Sequence, residues 1–335
     1  MAYLLNKHTI TRCYLHAYHS FGRFPYSVDT LVSNPSVSKI HAIIEWHDQR
    51  WTLRDISSNG TWVNNVKLAK EQEYILQLGD SIRFIGDQIH GFIVQDLSAP
   101  SDMLVPSGSI IQSANHDSQL DAIKLSNYHL LPSEQAPEVA LIFNQNNEQW
   151  RLEYINSPDQ DSRLLHENDF IELNNVRWQL KLSHLEKDTE IQHHKQHTIN
   201  DLSFIFDLSL NEESTKLQIK TPQKITNLQT RAHHYVTLNL ARYRVADAQK
   251  GISPENQGWV NTERLIKDLG VDMSHLNIQI HRTRKQFSES FTNINGIEDI
   301  IERQLRQVRF AGTMIEIYKG HQLESTLSNH TMMEC

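Results

Sequence analysis

Residues 51–64 read Trp-Thr-Leu-Arg-Asp-Ile-Ser-Ser-Asn-Gly-Thr-Trp-Val-Asn, a strand pattern that runs directly into a cluster of turn-forming residues. The alternating apolar residues predict a strand over 51–56, and the segment from Ser57 to Gly60 predicts a tight loop. Comparable strand patterns recur through residues 1–98, without a helical period. Closely spaced strands joined by turns are typical of an antiparallel β-sandwich. The other strand patterns are YLLNKHTI (3–10), TRCYLHAY (11–18), HAIIEW (41–46), SIRFIG (81–86) and HGFIVQ (90–95).

Two further loops of this region carry groups that suit a phosphate. Gly22-Arg23 follows the strand pattern at 11–18, and Ser38-Lys39-Ile40-His41 opens the pattern at 41–46. A dianionic phosphate is bound by a guanidinium, hydroxyl donors and backbone N–H groups on short loops. The loops of residues 1–98 supply these groups and therefore predict a phosphate-binding site.

The order Gly-Arg, Ser-x-x-His and Asn-Gly-Thr-x-x-Asn resembles the signature of the forkhead-associated (FHA) domain over about residues 10–97. The resemblance implies a module that binds phosphothreonine peptides. It implies that Arg23 grips the phosphate, that Ser38 donates its hydroxyl to it, and that Asn59 holds the peptide backbone. The phosphopeptide-binding residues implied in this way are Arg23, Ser38, Lys39, Ser58 and Asn59. The loop-scaffold residues implied are Gly22, His41, Gly60, Thr61 and Asn64.

An FHA fold that has lost phosphopeptide binding is the alternative. Domains that have lost binding typically lack the Arg or the Ser of the motif, whereas Arg23, Ser38 and Asn59 stand together in this chain. The resemblance therefore favours retained binding.

The middle of the chain divides into three segments. Residues 99–137 are rich in Ser, Pro, Asp, Gln and Asn and predict a linker. Residues 138–183 return to strand patterns, and Trp150-Arg-Leu-Glu-Tyr-Ile155 resembles Trp51-Thr-Leu-Arg-Asp-Ile56. This likeness leaves two alternatives, a degenerate FHA-like element or a chance similarity of β-rich sequence. Residues 184–201 predict a second linker.

Residues 202–320 combine strand patterns with helical ones. A helical period is predicted from Asn227, a short helix over about 261–269 ends at Gly270, and another helix spans about 274–289. A hairpin that turns near Leu305-Arg306 follows. This order, with Ile280-His-Arg-Thr-Arg-Lys285, resembles the winged helix-turn-helix output domain of bacterial response regulators. Residues 321–335 are predicted as a tail.

The resemblance implies that the helix at 274–289 enters the major groove of DNA. Leu276, Ile280, Thr283 and Phe287 fall on one face, which is predicted to pack inward. The residues predicted to bind DNA from the other faces and the wing are Asn277, His281, Arg282, Arg284, Lys285 and Arg306. Lys and Arg outnumber Asp and Glu by 14 to 10 over residues 222–320, whereas the whole chain carries a net charge of −8.

That basic excess is small, and four acidic residues surround the predicted wing: Glu289, Glu298, Asp299 and Glu302. Carboxylates would repel DNA phosphates there. A winged helix that docks a protein instead of DNA is the alternative.

Other function classes find little support in the sequence. Phosphate-loop, nucleophile-elbow and HExxH motifs are absent, so we expect a non-enzyme without catalytic residues or cofactors. We expect no metal site, since His193, His194 and His197 stand without a second cluster in a predicted linker. Cys13, His16 and His19 are expected on different faces of one strand. The cysteines Cys13 and Cys335 form no disulfide framework.

These observations predict an α+β multidomain protein with an amino-terminal antiparallel β-sandwich, a β-rich middle segment and a carboxy-terminal winged helix. The predicted function is a cytoplasmic, phosphothreonine-binding transcription regulator that acts downstream of a Ser/Thr kinase. Its expected partners are a phosphothreonine-containing protein and double-stranded DNA, without a membrane. The alternative is a signalling adaptor without DNA binding.

Overall fold

The computed structural model describes residues 1–85, 91–107, 121–157, 162–184 and 197–328. It divides into two compact units, and neither is continuous in sequence. The first unit comprises Met1–Leu125 and Glu167–Glu190, and the second comprises Ser126–His166 and Ile191–Cys335. Among the described helices, none is long and apolar enough to cross a membrane.

The amino-terminal sandwich, residues 1–98, consists of two sheets in the first unit. Their strands follow the alternating patterns at 1–98, since every second side chain turns toward the facing sheet. The first sheet has the order β2 (Arg12–Tyr14), β1 (Tyr3–Asn6), β11 (Gly91–Asp96), β10 (Ser81–Arg83), β7 (Trp62–Val63) and β8 (Val66–Lys67). The second has the order β4 (Thr30–Leu31), β3 (Tyr18–Gly22), β5 (Ala42–His47), β6 (Arg50–Asp55) and β9 (Glu73–Ile75). The strands pair antiparallel except for β3 and β4.

Side chains of both sheets meet in one hydrophobic core. Phe21 on β3 lies against Phe84 and Phe92, with ring centroids 4.9 and 5.5 Å apart. Leu53 on β6 and Ile82 on β10 are fully buried in the same cluster. This core fixes the loop that leaves β3, the loop that precedes β5 and the loop that leaves β6, and these three loops carry the predicted phosphate-binding residues.

The strand pattern at 11–18 is interrupted between β2 and β3. The chain leaves the six-stranded sheet after Tyr14 and enters the five-stranded sheet at Tyr18. The expectation that Cys13, His16 and His19 point to different faces is therefore wrong. The His16 and His19 rings stack at 5.4 Å, and Cys13 Sγ lies 3.8 Å from His19 Nε2. The alternation of side-chain directions along a strand does not continue from β2 into β3, because the strand is interrupted between them.

The segment predicted as a linker, 99–137, contains three strands. They are β12 (Met103–Ser107), β13 (Ile123–Lys124) and β14 (Tyr128–Leu131). Turn-forming composition concealed these strands, and β12 has its main partner far along the chain, whereas β13 and β14 pair with nearer strands. Strand β12 pairs with β19 (Val176–Lys181), and the first unit holds a four-stranded sheet in the order β13, β12, β19 and β18 (Phe170–Leu173). Most of the second predicted linker lies outside the described residues.

The strands of residues 103–181 repeat the connectivity of the amino-terminal sandwich. The order β13-β12-β19-β18 corresponds to β2-β1-β11-β10. The second unit holds β14, β15 (Val139–Asn144), β16 (Gln149–Tyr154) and β17 (Arg163–Leu165) in that order, which corresponds to β3-β5-β6-β9.

The backbone before β18 also matches the backbone before β10. Gly79 donates its N–H to the Val94 carbonyl, and Val94 donates to the Asp80 carbonyl. Asn168 and Leu180 repeat the pair, and Leu180 donates to the Asp169 carbonyl. Gly79 and Asn168 both have a positive φ, of 87° and 69°.

The carboxy-terminal part of the second unit is built on two sheets and three helices. One sheet has the order β23 (Ile225–Thr230), β22 (Thr215–Lys220), β21 (Ser203–Leu208), β28 (Met314–Lys319) and β29 (Gln322–Leu327). The other has the order β24 (Val260–Asn261), β27 (Gln307–Phe310) and β26 (Ile301–Gln304). A short parallel pair joins β20 (His197–Thr198) to β25 (Ile294–Asn295). The helices are α1 (His233–Gln249), α2 (Thr262–Leu269) and α3 (Met273–Ser290).

Local signals fix the limits of α2. Asn261 accepts a hydrogen bond from the Glu263 N–H at its start, and Gly270 ends it in the left-handed conformation with φ 65°. The helical period predicted from Asn227 begins later, at His233, because residues 225–230 pair with β22 as an edge strand. The expected tail contains β29, which turns back through Gly320 and His321.

Candidate phosphopeptide-binding site

Two loops of the amino-terminal sandwich lie together through backbone hydrogen bonds. Arg23 donates its N–H to the Ser38 carbonyl at 3.0 Å, and Phe24 donates to the Lys39 carbonyl at 3.3 Å. His41 donates to the Phe21 carbonyl at 2.7 Å. The loop after β3 and the loop before β5 are therefore direct neighbours, which brings the predicted residues at positions 23 and 38 to one place.

Gly22 makes this close approach possible. A Cβ atom at position 22 would lie 2.1 Å from the Lys39 carbonyl oxygen, which is a backbone atom that cannot move aside alone. A residue with a side chain would force the two loops apart. The glycine of the Gly-Arg pair thus sets the distance between the loops.

His41 joins the Ser38 loop to the loop after β6. It is fully buried, and its Nδ1 accepts a hydrogen bond from the Ser38 N–H at 3.1 Å. A ring nitrogen that accepts an N–H carries no proton, so the proton sits on Nε2, which donates to the Gly60 carbonyl at 3.0 Å. Burial lowers the pKa of His41 and keeps the ring neutral. The imidazole therefore acts as a brace between the two loops.

A buried carboxylate organises the loop after β6. Asp55 accepts from the Thr61 hydroxyl at 2.9 Å and from the Ser57 N–H at 3.1 Å. The Ser57 hydroxyl accepts from the Gly60 N–H at 2.6 Å, and Gly60 has a φ of 101°, which favours glycine. Asp55 and Ser57 were not among the predicted scaffold residues, although both stand inside the loop motif. A buried Asp at the end of a strand was the available signal.

Asn64 connects the site to the β10 end of the sandwich. Its amide nitrogen donates to Asp80 at 2.7 Å, and its amide oxygen accepts from the Ser81 N–H at 3.0 Å. Its φ of 50° is left-handed, a conformation that Asn tolerates better than most residues. The residue thus closes the turn between β7 and β8.

The side chains predicted to touch the phosphopeptide lie at the surface of these loops. Arg23, Lys39, Ser58 and Asn59 are exposed, and Ser38 is half-buried. Within the described part of the chain, the guanidinium of Arg23 has no hydrogen-bond or ion-pair partner. Its guanidinium is thus available to an anion.

The hydrogen bonds of the polar loop residues leave donors and acceptors for a ligand. Ser38 Oγ accepts from the Ser58 N–H at 3.2 Å, which leaves its own hydroxyl proton free to donate. Asn59 donates to the Ser36 carbonyl at 2.6 Å and so ties the 34–37 loop to the 57–60 loop, while its amide oxygen can still accept. The cluster offers charged and neutral donors over a small surface, as a phosphate requires.

The residues predicted to bind DNA do not form one exposed surface. Asn277, His281 and Arg284 are only 0%, 2% and 3% exposed, which corrects the prediction that they face outward. Arg282 and Lys285 are half-buried, and Arg306 alone of this set is exposed, at the turn between β26 and β27. The inward face is confirmed, because Leu276, Ile280, Thr283 and Phe287 are all buried.

Strands β14–β17 of the same unit cover the other face of α3. Tyr128 and His281 Nδ1 share a buried hydrogen bond of 2.7 Å, and Arg284 Nη1 donates to Glu153 at 3.0 Å. Lys285 pairs with Glu134, and Arg282 donates to the Glu134 carbonyl at 2.8 Å. The basic side chains of α3 are therefore already bound to acceptors within the chain.

The charges in this contact are arranged to compensate one another. Arg284 also donates to the Ile301 carbonyl, at 2.9 Å through Nε and 2.6 Å through Nη2. Burial and the positive charges of Arg284, Arg303 and Arg151 lower the pKa of His281, so this ring is neutral. The buried guanidinium of Arg284 has a carboxylate and a carbonyl as hydrogen-bond partners. Moving it out of this site would leave these partners buried without a donor, which is unfavourable.

Comparisons with known proteins identify the amino-terminal region. The family model described as the FHA domain matches residues 19–85, so this region of the chain is an FHA domain. FHA domains bind phosphothreonine peptides in signalling and are recognition modules, not catalysts. No curated protein matches the chain significantly.

Solved structures resemble the chain over a limited part of its length. Mycobacterium tuberculosis EmbR in complex with a low-affinity phosphopeptide is 29% identical, with 29% of this chain and 25% of EmbR covered and a TM-score of 0.26. The N-terminal FHA domain of S. cerevisiae Rad53p in complex with a phosphothreonine peptide is 24% identical, with 28% of this chain and 91% of that domain covered and a TM-score of 0.26.

Proposed function

We propose that the FHA domain of this chain binds a phosphothreonine-containing protein through Arg23, Ser38, Lys39, Ser58 and Asn59. Arg23 supplies the main charge, Ser38 donates a hydroxyl hydrogen bond, and Asn59 holds the peptide backbone. A Ser/Thr kinase that phosphorylates the partner is then an upstream component. A cytoplasmic location is part of this proposal and would be checked by cell fractionation.

The observation that carries the proposal is the unpaired Arg23 beside a braced Ser38 loop. The backbone hydrogen bond from Arg23 to Ser38 joins the two loops, and His41 fixes the Ser38 loop from the buried side. A guanidinium that is exposed and unpaired in a rigid setting keeps its full hydrogen-bonding capacity for an incoming anion.

A phosphothreonine peptide array with the full chain tests this proposal. The Arg23→Ala variant should bind about 10- to 100-fold more weakly, because a hydrogen bond to a charged group contributes about 1.5–3 kcal/mol. Arg50→Ala, which removes an exposed arginine on β6, is the matched control and should leave binding unchanged. Equal binding of phosphorylated and unphosphorylated peptides by the full chain would refute the proposal.

For the carboxy-terminal region, we propose a role in signalling through protein contacts. The resemblance to a winged helix-turn-helix stays a prediction, as does DNA-binding transcription regulation. The burial of Asn277, His281 and Arg284 favours the adaptor alternative, because α3 is occupied by strands β14–β17. DNA binding through α3 would require these strands to leave it and Arg284 to lose its partners.

Salt-dependent binding to duplex DNA separates the two functions. A DNA-binding regulator should bind at low salt and lose affinity steeply toward physiological salt. Arg306→Ala is the informative variant, because Arg306 is exposed, whereas Arg284→Ala would damage the fold. Absence of binding at low salt would support the adaptor, and DNA binding that weakens with Arg306→Ala would refute it.

Residues 103–181 are proposed to be a second FHA-like element without phosphopeptide binding. The repeated strand order and the matching hydrogen bonds at Gly79 and Asn168 support common ancestry of the two halves. The Gly-Arg motif is missing from this stretch, and Gln135-Ala-Pro-Glu138 stands directly before β15, where Ser38-Lys-Ile-His41 stands before β5. The Arg23→Ala variant of the full chain should therefore retain no second phosphothreonine site.

A further inference from the structure

We propose that His16, Glu167 and His184 form a binding site for a divalent transition metal ion such as Zn²⁺. One potential ligand atom of each residue lies within 4.8 Å of the other two. His16 stands in the turn between β2 and β3, Glu167 stands three residues before β18, and His184 stands after β19. All three belong to the first unit, although they are far apart in sequence.

The imidazole of His16 is already oriented as a ligand. Its Nδ1 donates to the Leu182 carbonyl at 2.8 Å, since a carbonyl can only accept. Nδ1 therefore carries the proton, and Nε2 presents a free lone pair. Metal-bound histidines in proteins typically donate their other N–H to a carbonyl or carboxylate in this way.

Glu167 has one oxygen occupied and one available. Its Oε2 accepts from the Leu182 N–H at 2.5 Å, which fixes the carboxylate. Its Oε1 is buried and has no hydrogen-bond partner. Burying a carboxylate oxygen without a hydrogen-bond donor is unfavourable in free energy, and a bound cation would provide the missing partner.

His184 completes the cluster from the chain segment after β19. Its Nε2 lies 3.8 Å from Glu167 Oε2, and its ring centroid lies 5.1 Å from that of His16. Its φ of 50° is left-handed, a conformation that is unfavourable for a residue with a side chain. The ring is exposed, so a metal ion can reach the site from solvent.

Neighbouring side chains define the limits of the ligand set. His19 is not a ligand, because its Nδ1 accepts from the His16 N–H at 3.2 Å and its Nε2 bonds to the Thr30 hydroxyl at 2.8 Å. Lys181 Nζ lies 3.7 Å from Glu167 Oε1 and would be displaced by the ion. Its ammonium group would keep the hydrogen bond of 2.5 Å that it donates to Asn168 Oδ1.

Two imidazoles and one carboxylate favour a zinc-like ion over Mg²⁺ or Ca²⁺, which prefer all-oxygen sites. Zinc binds such ligands at about 2.0–2.2 Å in a tetrahedron, so the side chains would close by about an ångström on binding. A water molecule would take the fourth position. The ion would connect the β2–β3 turn to the segments that flank β18 and β19.

Zinc titration of the metal-free full chain tests the site. The chain is dialysed against a chelator, and Zn²⁺ alone is titrated in competition with a chromophoric chelator. We expect one equivalent of Zn²⁺ to bind in the wild type. His184→Ala and Glu167→Gln should each weaken this binding about 100-fold or more. Mg²⁺ and Ca²⁺ should not compete.

Two matched controls separate this site from other histidines. His8→Ala removes an exposed histidine of the same unit, and His193→Ala with His194→Ala removes the histidine-rich segment. Both controls should keep the wild-type zinc affinity, and circular dichroism should show that all variants fold. Failure of the wild type to bind one equivalent, loss of binding in the control at 193 and 194, or unchanged affinity in both His184→Ala and Glu167→Gln would overturn the proposal.

Discussion

His41 should control phosphopeptide affinity without touching the phosphate. Its imidazole accepts from the Ser38 N–H and donates to the Gly60 carbonyl, so it holds two of the loops that carry the proposed binding residues. Replacement by alanine removes both hydrogen bonds at once. The loops would then have to be ordered by the ligand, and affinity would fall by the free energy of that ordering.

The size of the effect follows from the two partners. Gly60 is buried, so its carbonyl would be left without a hydrogen-bond donor at a cost of about 1–3 kcal/mol. Ser38 is half-buried, and water can replace part of its lost bond, at about 1 kcal/mol. We expect His41→Ala to lose about 2–4 kcal/mol of stability in these loops. If the ligand must supply roughly 1.5–2 kcal/mol of this free energy to order the loops, the Kd rises by about 10- to 30-fold.

Two variants and two measurements check this reasoning. Fluorescence anisotropy of a labelled phosphothreonine peptide gives the Kd of the full chain, and hydrogen exchange reports on the amides of residues 36–60. His41→Asn should have an intermediate effect, because its amide oxygen can still accept from the Ser38 N–H but cannot reach Gly60. His47→Ala, an exposed histidine on β5, is the control.

A wild-type Kd in the His41→Ala variant, with faster exchange in the loops, would show that loop order does not limit binding. A wild-type Kd with unchanged exchange would show that His41 is not a brace. Either result would refute the connection between the buried imidazole and the surface site.

Three further predictions follow from other contacts. Gly22→Ala should abolish phosphopeptide binding, because the new Cβ would lie 2.1 Å from the Lys39 carbonyl oxygen, and anisotropy would measure the loss. Burial lowers the pKa of His129 and of His233 to about 4, below the unfolded value of about 6.5, so the unfolded chain binds more protons between these values. The free energy of unfolding should therefore be highest above about pH 6.5 and decrease as the pH falls toward 4, by at most about 3 kcal/mol per histidine. Urea denaturation followed by circular dichroism would measure this decrease. A urea midpoint that does not change with pH over this range would contradict the prediction. Burial raises the pKa of Cys13 to about 11, so the peptide that contains it should resist iodoacetamide at pH 8 in mass spectrometry, and rapid alkylation of the folded chain would show that the thiol is accessible and ionised.

The loops that carry the proposed phosphate-binding residues could be predicted because their determinants are local. Gly22, Ser38 and Gly60 stand within short motifs whose order and spacing are visible in the sequence. Asn261 and Gly270 delimit α2 for the same reason, since a cap acts within a few residues. Such signals do not depend on what the rest of the chain does.

Features that depend on distant partners could not be predicted. The face of α3 with Asn277, His281 and Arg284 has the polar composition of a solvent-exposed face, but the strands at 128–165 and residues of β26 make it an interior one. Likewise β12 pairs with β19, so its segment resembles a linker when it is read alone. Composition describes a residue's preference, and long-range pairing decides its environment.

Turn chemistry was the signal that could have corrected one boundary. Gly320 and His321 both have positive φ values, of 56° and 68°, which is the two-residue turn that favours a hairpin. The predicted domain ended at residue 320, whereas the chain continues into β29. A glycine followed by residues of strand propensity is compatible with the end of a domain and with a hairpin turn.

The discontinuity of the two units has a consequence for biosynthesis. The chain passes from one unit to the other after Leu125, after His166 and after Glu190. As the polypeptide leaves the ribosome, the sheet that contains β12 cannot close until β18 and β19 have emerged, and the second unit awaits the carboxy-terminal strands. The FHA domain has all its described strands within the first hundred residues, so a nascent chain could expose the loops proposed to bind a phosphopeptide while the remaining two thirds is still being translated.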